Sequence, residues 1–348
     1  MDHCESWHWT DGTVRGTLVP VDHLPVFDDV LAAQNLLARH LPATPMWSYP
    51  ALDALLGANL HVKHENVQPV GAFKVRGGLT LLAGMEPAAR ARGLITYSTG
   101  NHAQSIAYAC AEFGVSCTLV MPAAASAAKV RAVRALGAAI ELHGSDMAAA
   151  QRRAEELAAK TGQVLVSPGD TPQLLAGVGT AYLEIFQARP DLDAVVVPVG
   201  SGTGAAAAAL VAARLAPRCR VIAVQSSAAP AAYESWRLGA CVERPNTTNV
   251  DGLATGRGFA LPQQLMRAGL ADFHLVSDEQ IAAARRLMAS HAHTLAEGAG
   301  AAALAAVLAR PDRFAGQRVA VVCTGGNASA AEIADLAAVE GDTDWARA

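Results

Sequence analysis

Lys74 is the residue of this chain best placed to do covalent chemistry. It sits in the run Gln68-Pro69-Val70-Gly71-Ala72-Phe73-Lys74-Val75-Arg76-Gly77-Gly78, where a turn rich in Pro and Gly carries a lysine into an otherwise apolar neighbourhood. Burial disfavours an ammonium ion and lowers its pKa, and the neutral amine that results can add to a carbonyl group to form an imine. The same letters also describe a lysine at an ordinary helix start, so the rest of the chain must decide between the two.

Three Gly-rich segments bear on that choice. Ser98-Thr99-Gly100-Asn101-His102-Ala103-Gln104 joins an expected strand to an expected helix. Free backbone N–H groups and the helix dipole at such a point suit an amino-acid carboxylate, and the Asn101 amide suits the phenolic oxygen of a ring. Ser98 as a helix cap and Asn101 as a turn residue fit the same spacing without a ligand. Pro198-Val199-Gly200-Ser201-Gly202-Thr203-Gly204 again runs from strand through loop to helix. Its backbone can wrap a phosphate with the amides of Gly200, Gly202 and Gly204, while Ser201 and Thr203 add hydroxyl donors. It lacks the lysine of a P-loop, which disfavours a nucleoside triphosphate, and tight helix–sheet packing would produce the same letters. In Val321-Val322-Cys323-Thr324-Gly325-Gly326-Asn327 the Thr324 hydroxyl ends the last core strand, where it suits a buried ring nitrogen. A Gly-Gly turn that merely terminates the strand would read the same way. Taken together, the segments point the lysine toward a pyridoxal phosphate site.

Other polar residues carry less. His61 and His64 flank a strand, and His291 and His293 lie near a helix end, so solvated or packed histidines explain both pairs more simply than metal ligands. Glu297, an acid in a nearly uncharged stretch, is expected to orient a neighbour. Cys4, Cys110, Cys117, Cys219, Cys241 and Cys323 have no CxxC spacing and mostly lie in apolar runs, which predicts small core residues. His3, Cys4 and His8 could hold a metal in principle, but a flexible polar leader over residues 1–18 is the simpler reading. No metal site is expected.

The elements that must position these residues alternate helical periodicity with short β-branched runs, an α/β pattern. Helices are expected at 26–40, 101–113, 126–136, 146–160, 172–188, 203–215, 278–291 and 299–309. Strands are expected at 60–65, 94–98, 117–121, 139–142, 194–199, 220–224 and 318–323. Residues 93–168 read as a small domain inserted into a larger one formed by 19–92 and 169–348. The loose stretch 240–262 is too long for a simple connection and is a candidate functional segment. Every Gly-rich segment falls beyond the carboxyl end of a strand, where open α/β sheets bind ligands.

Composition sets the bounds. With 348 residues, 52% of them hydrophobic, the chain can bury the core of two compact lobes. A net charge of −4, from 27 basic and 31 acidic residues, leaves no excess for gripping nucleic acid. No stretch reaches the roughly 20 apolar residues of a membrane span, and the N-terminus has neither the basic start nor the apolar core of a signal peptide. A soluble cytoplasmic protein is expected.

QPVGAFKVRGG, STGNHAQ, GSGTG and CTGGN occur in the order and spacing of the fold type II pyridoxal phosphate enzymes, and the chain resembles their threonine/serine dehydratase and serine racemase branch over about residues 25–338. Ala176-Gly177-Val178-Gly179-Thr180 is similar to a segment of that branch as well. The resemblance implies a tryptophan synthase β-like fold with two three-layer α/β domains. It implies that Lys74 carries pyridoxal 5'-phosphate as an imine and removes the substrate α-proton. Phe73 would pack against the cofactor, Asn101 would bond its phenolic oxygen, Gly200, Ser201, Gly202, Thr203 and Gly204 would hold its phosphate, and Thr324 would meet its pyridine nitrogen. Ser98, Thr99, Gly100 and His102 would surround the carboxylate of a small amino-acid substrate. A hydroxyl partner leaves the pyridine largely unprotonated, which favours β-elimination. The departing hydroxide needs a proton, for which the cofactor phosphate, with a second pKa of about 6, is the candidate donor. The expected activity is conversion of L-threonine, L-serine or a related β-hydroxy amino acid to a 2-oxo acid and ammonia, by a homodimer.

The chain also departs from that pattern. Val70 and Ala72 stand where hydroxylated residues are common, and the phosphate loop reads GSGTG and not an all-glycine run. Gln225 stands where the branch often carries Glu, and Asn246–Val250 brings no acidic ligand, which weakens a metal-activated racemase. The regulatory C-terminal domain of biosynthetic threonine dehydratases is not found. Thr99 falls where a serine of the racemase acts as the opposite-face acid, which keeps racemisation open. The same frame is also compatible with β-replacement, as in cysteine synthase relatives, and with a non-catalytic ligand-binding module.

Overall fold

The computed structural model describes residues 24–337. The expected leader, with His3, Cys4 and His8, lies outside the described residues. Among the described residues ten strands form two sheets: β1 (Met46–Ser48), β2 (Asn59–His64), β3 (Leu94–Tyr97), β4 (Cys117–Met121), β5 (Ala139–Leu142), β6 (Val164–Val166), β7 (Ala194–Pro198), β8 (Arg220–Ser226), β9 (Asp272–Val276) and β10 (Arg318–Cys323). Six strands make one sheet in the order β1-β2-β10-β7-β8-β9, parallel except for the antiparallel edge strand β1. The other sheet is parallel throughout, in the order β5-β4-β3-β6, and is built from sequence that falls between β2 and β7.

Burial on both faces explains why the central strands read as unbroken apolar runs. In β7, Ala194 and Val196 face one apolar cluster with helix 298–308, while Val195 and Val197 face a second with helices 172–188 and 203–215. The four-stranded sheet divides likewise. Leu94, Leu119 and Val166 pack with Val75, Leu79 and Ile106, and Ile95, Val120 and Leu165 pack against Ala150, Ala154 and Ala158 of helix 147–161. This is the mixed α/β fold with two parallel sheets that the sequence predicts.

Several elements escape the sequence reading. β1 and β6 have three residues each, too few to show a period. β9 is masked by Asp272 and His274, which bond each other at 2.9 Å. Residues 260–262, expected as loop, open a helix over Ala260–Gly269. The helix Lys74–Gly84 contains Gly77 and Gly78, poor helix formers. Contact overrides propensity there, because a Cβ at Gly78 would lie 2.5 Å from Ser105 Oγ and 2.6 Å from its carbonyl oxygen.

Beneath that helix lies a buried ion cluster. Arg76 Nε and Nη2 donate to Glu65 at 2.8 and 2.9 Å, and Nη1 donates to Glu184 Oε1 at 2.7 Å and Thr180 Oγ1 at 3.0 Å. Lys63 Nζ meets Glu184 Oε2 at 2.5 Å, and Thr44 donates to Glu65 at 2.6 Å. Two cations and two anions thus balance. Burial alone would raise the Glu65 carboxyl, but Arg76 and Lys63 hold it below its ordinary value. Its contribution to stability is therefore full above the unfolded carboxyl range and is lost as pH falls through the depressed folded value. Arg76→Met, which strands Glu65, is expected to lower stability by about 3–5 kcal/mol in urea titrations at neutral pH. A loss below about 1 kcal/mol would show that the cluster does not anchor the helix.

Candidate active site

Phe73 and Lys74 reach their positions because the turn before them is clamped to the end of β10. Phe73 N–H donates to Thr324 O at 3.0 Å, Gly326 N–H donates to Gly71 O at 2.9 Å, and Ala72 bridges Gly325. On the other side, Ser105 Oγ donates to Lys74 O at 2.5 Å. The amine that results is unusual in its partners. Lys74 Nζ touches only hydroxyls, Ser201 Oγ at 3.2 Å and Thr203 Oγ1 at 2.6 Å, with the Phe73 ring centroid 5.2 Å away. No Asp or Glu oxygen lies within 4.0 Å of it among the described residues. Burial lowers its pKa to about 8, so a substantial fraction is neutral near neutral pH.

The loop that meets this amine is an anion cup. β7 ends at Pro198, and Gly202, at φ +93°, caps the helix Thr203–Leu215. A side chain at Gly202 would be strained by that φ and would also press on Pro262 and Met266. None of the N–H groups from Gly200 to Ala205 donates to a backbone carbonyl. Thr255 Oγ1 steadies the loop by donating to Gly200 O at 3.0 Å.

The turn after β3 is built on the same plan. Gly100 N–H donates to Ser98 Oγ at 3.2 Å, and the amides of Asn101, His102 and Ala103 at the start of helix Asn101–Glu112 donate to no backbone carbonyl. Asn101 is held at both ends of its amide. Its Nδ2 donates to Glu297 Oε1 at 2.6 Å, and its Oδ1 accepts from Asn327 Nδ2 at 2.8 Å. One Nδ2 hydrogen remains for another acceptor. Glu297 is buried, and burial pushes its carboxyl up to about 7 although the Asn101 donor opposes the shift.

All thirteen residues expected at the site line one cavity of about 720 Å³: Phe73, Lys74, Ser98, Thr99, Gly100, Asn101, His102, Gly200, Ser201, Gly202, Thr203, Gly204 and Thr324. The His102 side chain is itself held by a neighbour. Thr96 Oγ1 donates to Val166 O at 2.6 Å and therefore accepts from His102 Nε2 at 3.0 Å. Burial, then the charge of Lys74, pull the imidazole down to about 3. Its side chain is a neutral wall of the cavity, beside the free amides of Asn101, His102 and Ala103.

Sequence reasoning missed Tyr97, Arg244, Thr255, Arg257 and Phe259, which also line the cavity. The only signal for the last four was the loose stretch 240–262, which does not say which of its residues faces Lys74. Cys110, Cys117, Cys219 and Cys323 are buried as expected, whereas Cys241 is exposed. Gln225 is buried, accepts from Tyr233 N–H at 3.1 Å and does not line the cavity. Among the described residues no three His, Cys, Asp or Glu side chains cluster as metal ligands, and no helix is long and apolar enough to cross a membrane.

A pyridine aldehyde bearing a phosphate requires an uncompensated amine, an anion cup within reach of it and polar partners around a ring. Lys74, residues 200–205, the spare Asn101 hydrogen and the Thr324 hydroxyl fit those needs. Comparison with known proteins agrees. A family model described as pyridoxal-phosphate dependent enzyme matches residues 37–325. The chain is 35% identical to the beta-hydroxyaspartate dehydratase of Paracoccus denitrificans over 88% of its length and 97% of that protein. It is also 35% identical to the L-threonine ammonia-lyase of Thermotoga maritima over 86% of its length and 75% of that protein. The structure of maize serine racemase superposes with a TM-score of 0.85 at 27% identity, covering 89% of this chain and 96% of that one.

Below its pKa of about 8 the neutral fraction of Lys74 grows about tenfold per pH unit. Borohydride-trapped labelling of the apoprotein by pyridoxal phosphate should therefore accelerate about tenfold from pH 6 to pH 7, level off above pH 8 and map to Lys74. Labelling elsewhere, or labelling that Lys74→Ala does not abolish, would overturn this assignment.

Proposed function

The chain belongs to the fold type II family of pyridoxal-phosphate dependent enzymes, and from that premise we propose that it is an ammonia-lyase for L-threonine, L-serine or a related β-hydroxy amino acid. The observation that carries the reading is the Lys74 amine, enclosed without a counter-charge and facing a hydroxyl-bearing anion cup. The names of the two sequence relatives described above, a dehydratase and an ammonia-lyase, support the same reaction class.

When bound, pyridoxal phosphate supplies an electron sink that acidifies the α C–H bond of an amino acid. This chain's residues do the rest. The neutral form of Lys74 accepts the α-proton at Nζ, and Ser201 and Thr203 orient that atom through their hydroxyls. The amides of Asn101, His102 and Ala103 bind the substrate α-carboxylate at the positive end of their helix. Asn101, fixed by Glu297 and Asn327, would offer its spare hydrogen to the phenolic oxygen of the cofactor. Thr324 would offer a hydroxyl able to bond a ring nitrogen without protonating it, and Phe73 would cover the apolar side. Overall the α-proton and the β-hydroxyl leave as water, and a water then displaces ammonia to give a 2-oxo acid.

Thr99 lines the cavity, and its hydroxyl makes racemisation the second reading to be tested. The holoenzyme incubated with a panel of β-hydroxy amino acids should release 2-oxo acid and ammonia in equal amounts, and Lys74→Ala should lower turnover at least about 1,000-fold. Accumulation of the opposite enantiomer without oxo acid would replace the lyase reading with a racemase. Diversion to a thioether by added thiol would replace it with β-replacement.

A further inference from the structure

One wall of the cavity carries two arginines that the reaction described above does not use, Arg244, whose Nη1 donates to Glu243 O at 2.8 Å, and Arg257. Arg257 lies on the segment after β8, where Arg244 N–H donates to Gly256 O at 2.9 Å, Gly258 N–H donates to Val242 O at 3.1 Å, and Glu243 bridges Arg257. Its guanidinium lies 4.6 Å over the buried Phe259 ring, and its Nη2 donates to Tyr97 OH at 3.3 Å. That bond reaches from the six-stranded side of the cavity to β3 of the other sheet. No Asp or Glu oxygen lies within 4.0 Å of Arg257 among the described residues. The acids on the cavity wall are Asp146, Glu243 and Asp251. Asp146 caps helix 147–161 through Ala149 N–H at 2.8 Å, Asp251 pairs with Lys129 at 2.6 Å, and Glu243 is exposed. Asp170, on the segment after β6, spends its Oδ1 on Leu261 N–H at 3.0 Å.

Arg257 is therefore a planar, oriented fork with most of its donors unspent, stacked so that it loses little freedom on binding. The other polar groups of an amino-acid substrate are already accounted for, the amine at Lys74 and the α-carboxylate at the start of helix 101–112. Only the substituent on Cβ is left to face a cation. Serine has nothing there beyond its hydroxyl, and threonine has a methyl group that gains nothing from a guanidinium. A carboxylate gains two charge-assisted hydrogen bonds.

We propose that Arg257 anchors a second, β-carboxylate, so that the substrate is a 3-hydroxy dicarboxylic amino acid of the 3-hydroxyaspartate class. The inference rests on the ammonia-lyase reading and narrows it. The atoms balance without a co-reactant. The Cα–H and Cβ–OH bonds break, their fragments leave as water, and one water displaces ammonia to leave a four-carbon 2-oxo dicarboxylate, with no net oxidation.

The test compares kcat/KM for L-threo-3-hydroxyaspartate and L-serine in the wild-type holoenzyme and in R257M, R257K and R244M, with folding checked by thermal melts. The wild type should favour the diacid by at least about 100-fold, and R257M should cut that ratio about 100-fold. R257K, which keeps the charge but loses the fork, should cut it at least about tenfold, and R244M should leave it within about threefold. Independently of turnover, calorimetry should show succinate binding the wild-type holoenzyme and weakening at least about 30-fold in R257M, with butyrate as the monoacid control. Preference for serine or threonine in the wild type would overturn this inference and leave the lyase reading intact, whereas absence of oxo acid from every substrate would sink the lyase reading itself. A ratio lost in R244M but kept in R257M or R257K would take the anchor away from Arg257, as would succinate binding no better than butyrate.

Discussion

A lysine amine enclosed without an anion is the constraint around which this molecule is arranged. The chain contains a contrasting case in Lys63, which is more deeply buried than the cavity-facing Lys74 and is held by Glu184 at 2.5 Å. Lys74 meets two hydroxyls and no carboxylate. An unpaired ammonium in a low dielectric is costly, and that cost lowers the pKa of Lys74 to about 8, so that a proton is lost far more readily than from a solvated lysine. A structure built only for stability would place an acid beside Lys74. Its absence, together with free amides from Gly200 to Ala205, suits the position to the imine chemistry proposed for it.

Keeping that amine in place requires the two sheets to act together. The turn before Lys74 is fastened to the end of β10, the helix after it packs closely on Ser105, and Arg76 locks it to Glu65 and Glu184. Fully paired charge below the helix and unpaired charge at its tip lie two residues apart in sequence. The paired cluster fixes where the helix starts, so the side chain at the tip has little freedom to seek an acid elsewhere.

Electrostatics in the cavity follow the same division of labour. Burial pulls His102 down to about 3 and pushes Glu297 up to about 7, in each case favouring the neutral form. The walls closest to Lys74 therefore add little fixed charge of their own, and recognition of anions falls to oriented amides. Two arginines on the segment after β8, Arg244 and Arg257, are the exceptions, and Arg257, stacked on Phe259 and bonded to Tyr97, is the one expected to discriminate among substrates that otherwise react alike.

Local pattern was enough to read much of this protein. β-branched runs and helical periods marked most of the central strands and helices, since a strand buried on both faces must be apolar throughout and a packed helix must repeat every turn. The Gly-rich segments at 98–104, 198–204 and 321–327 were legible as strand-to-helix or strand-ending turns because such turns need small residues and free amides whatever the rest of the chain does. β1, β6 and β9 were too short or too polar to show a period, and a helix start at Lys74 was legible only as one of two readings, its course obscured by Gly77 and Gly78. The sense of those glycines depends on Ser105, far along the chain. The same holds for Arg76 with Glu184, Asn101 with Glu297, and Arg257 with Tyr97. Sequence by itself determined which segments could bind an anion or form an imine, because those are properties of a few consecutive residues. Only the tertiary structure decided which charges are neutralised and which are left over for a ligand, because pairing is a matter of distance between residues that the chain brings together from far apart.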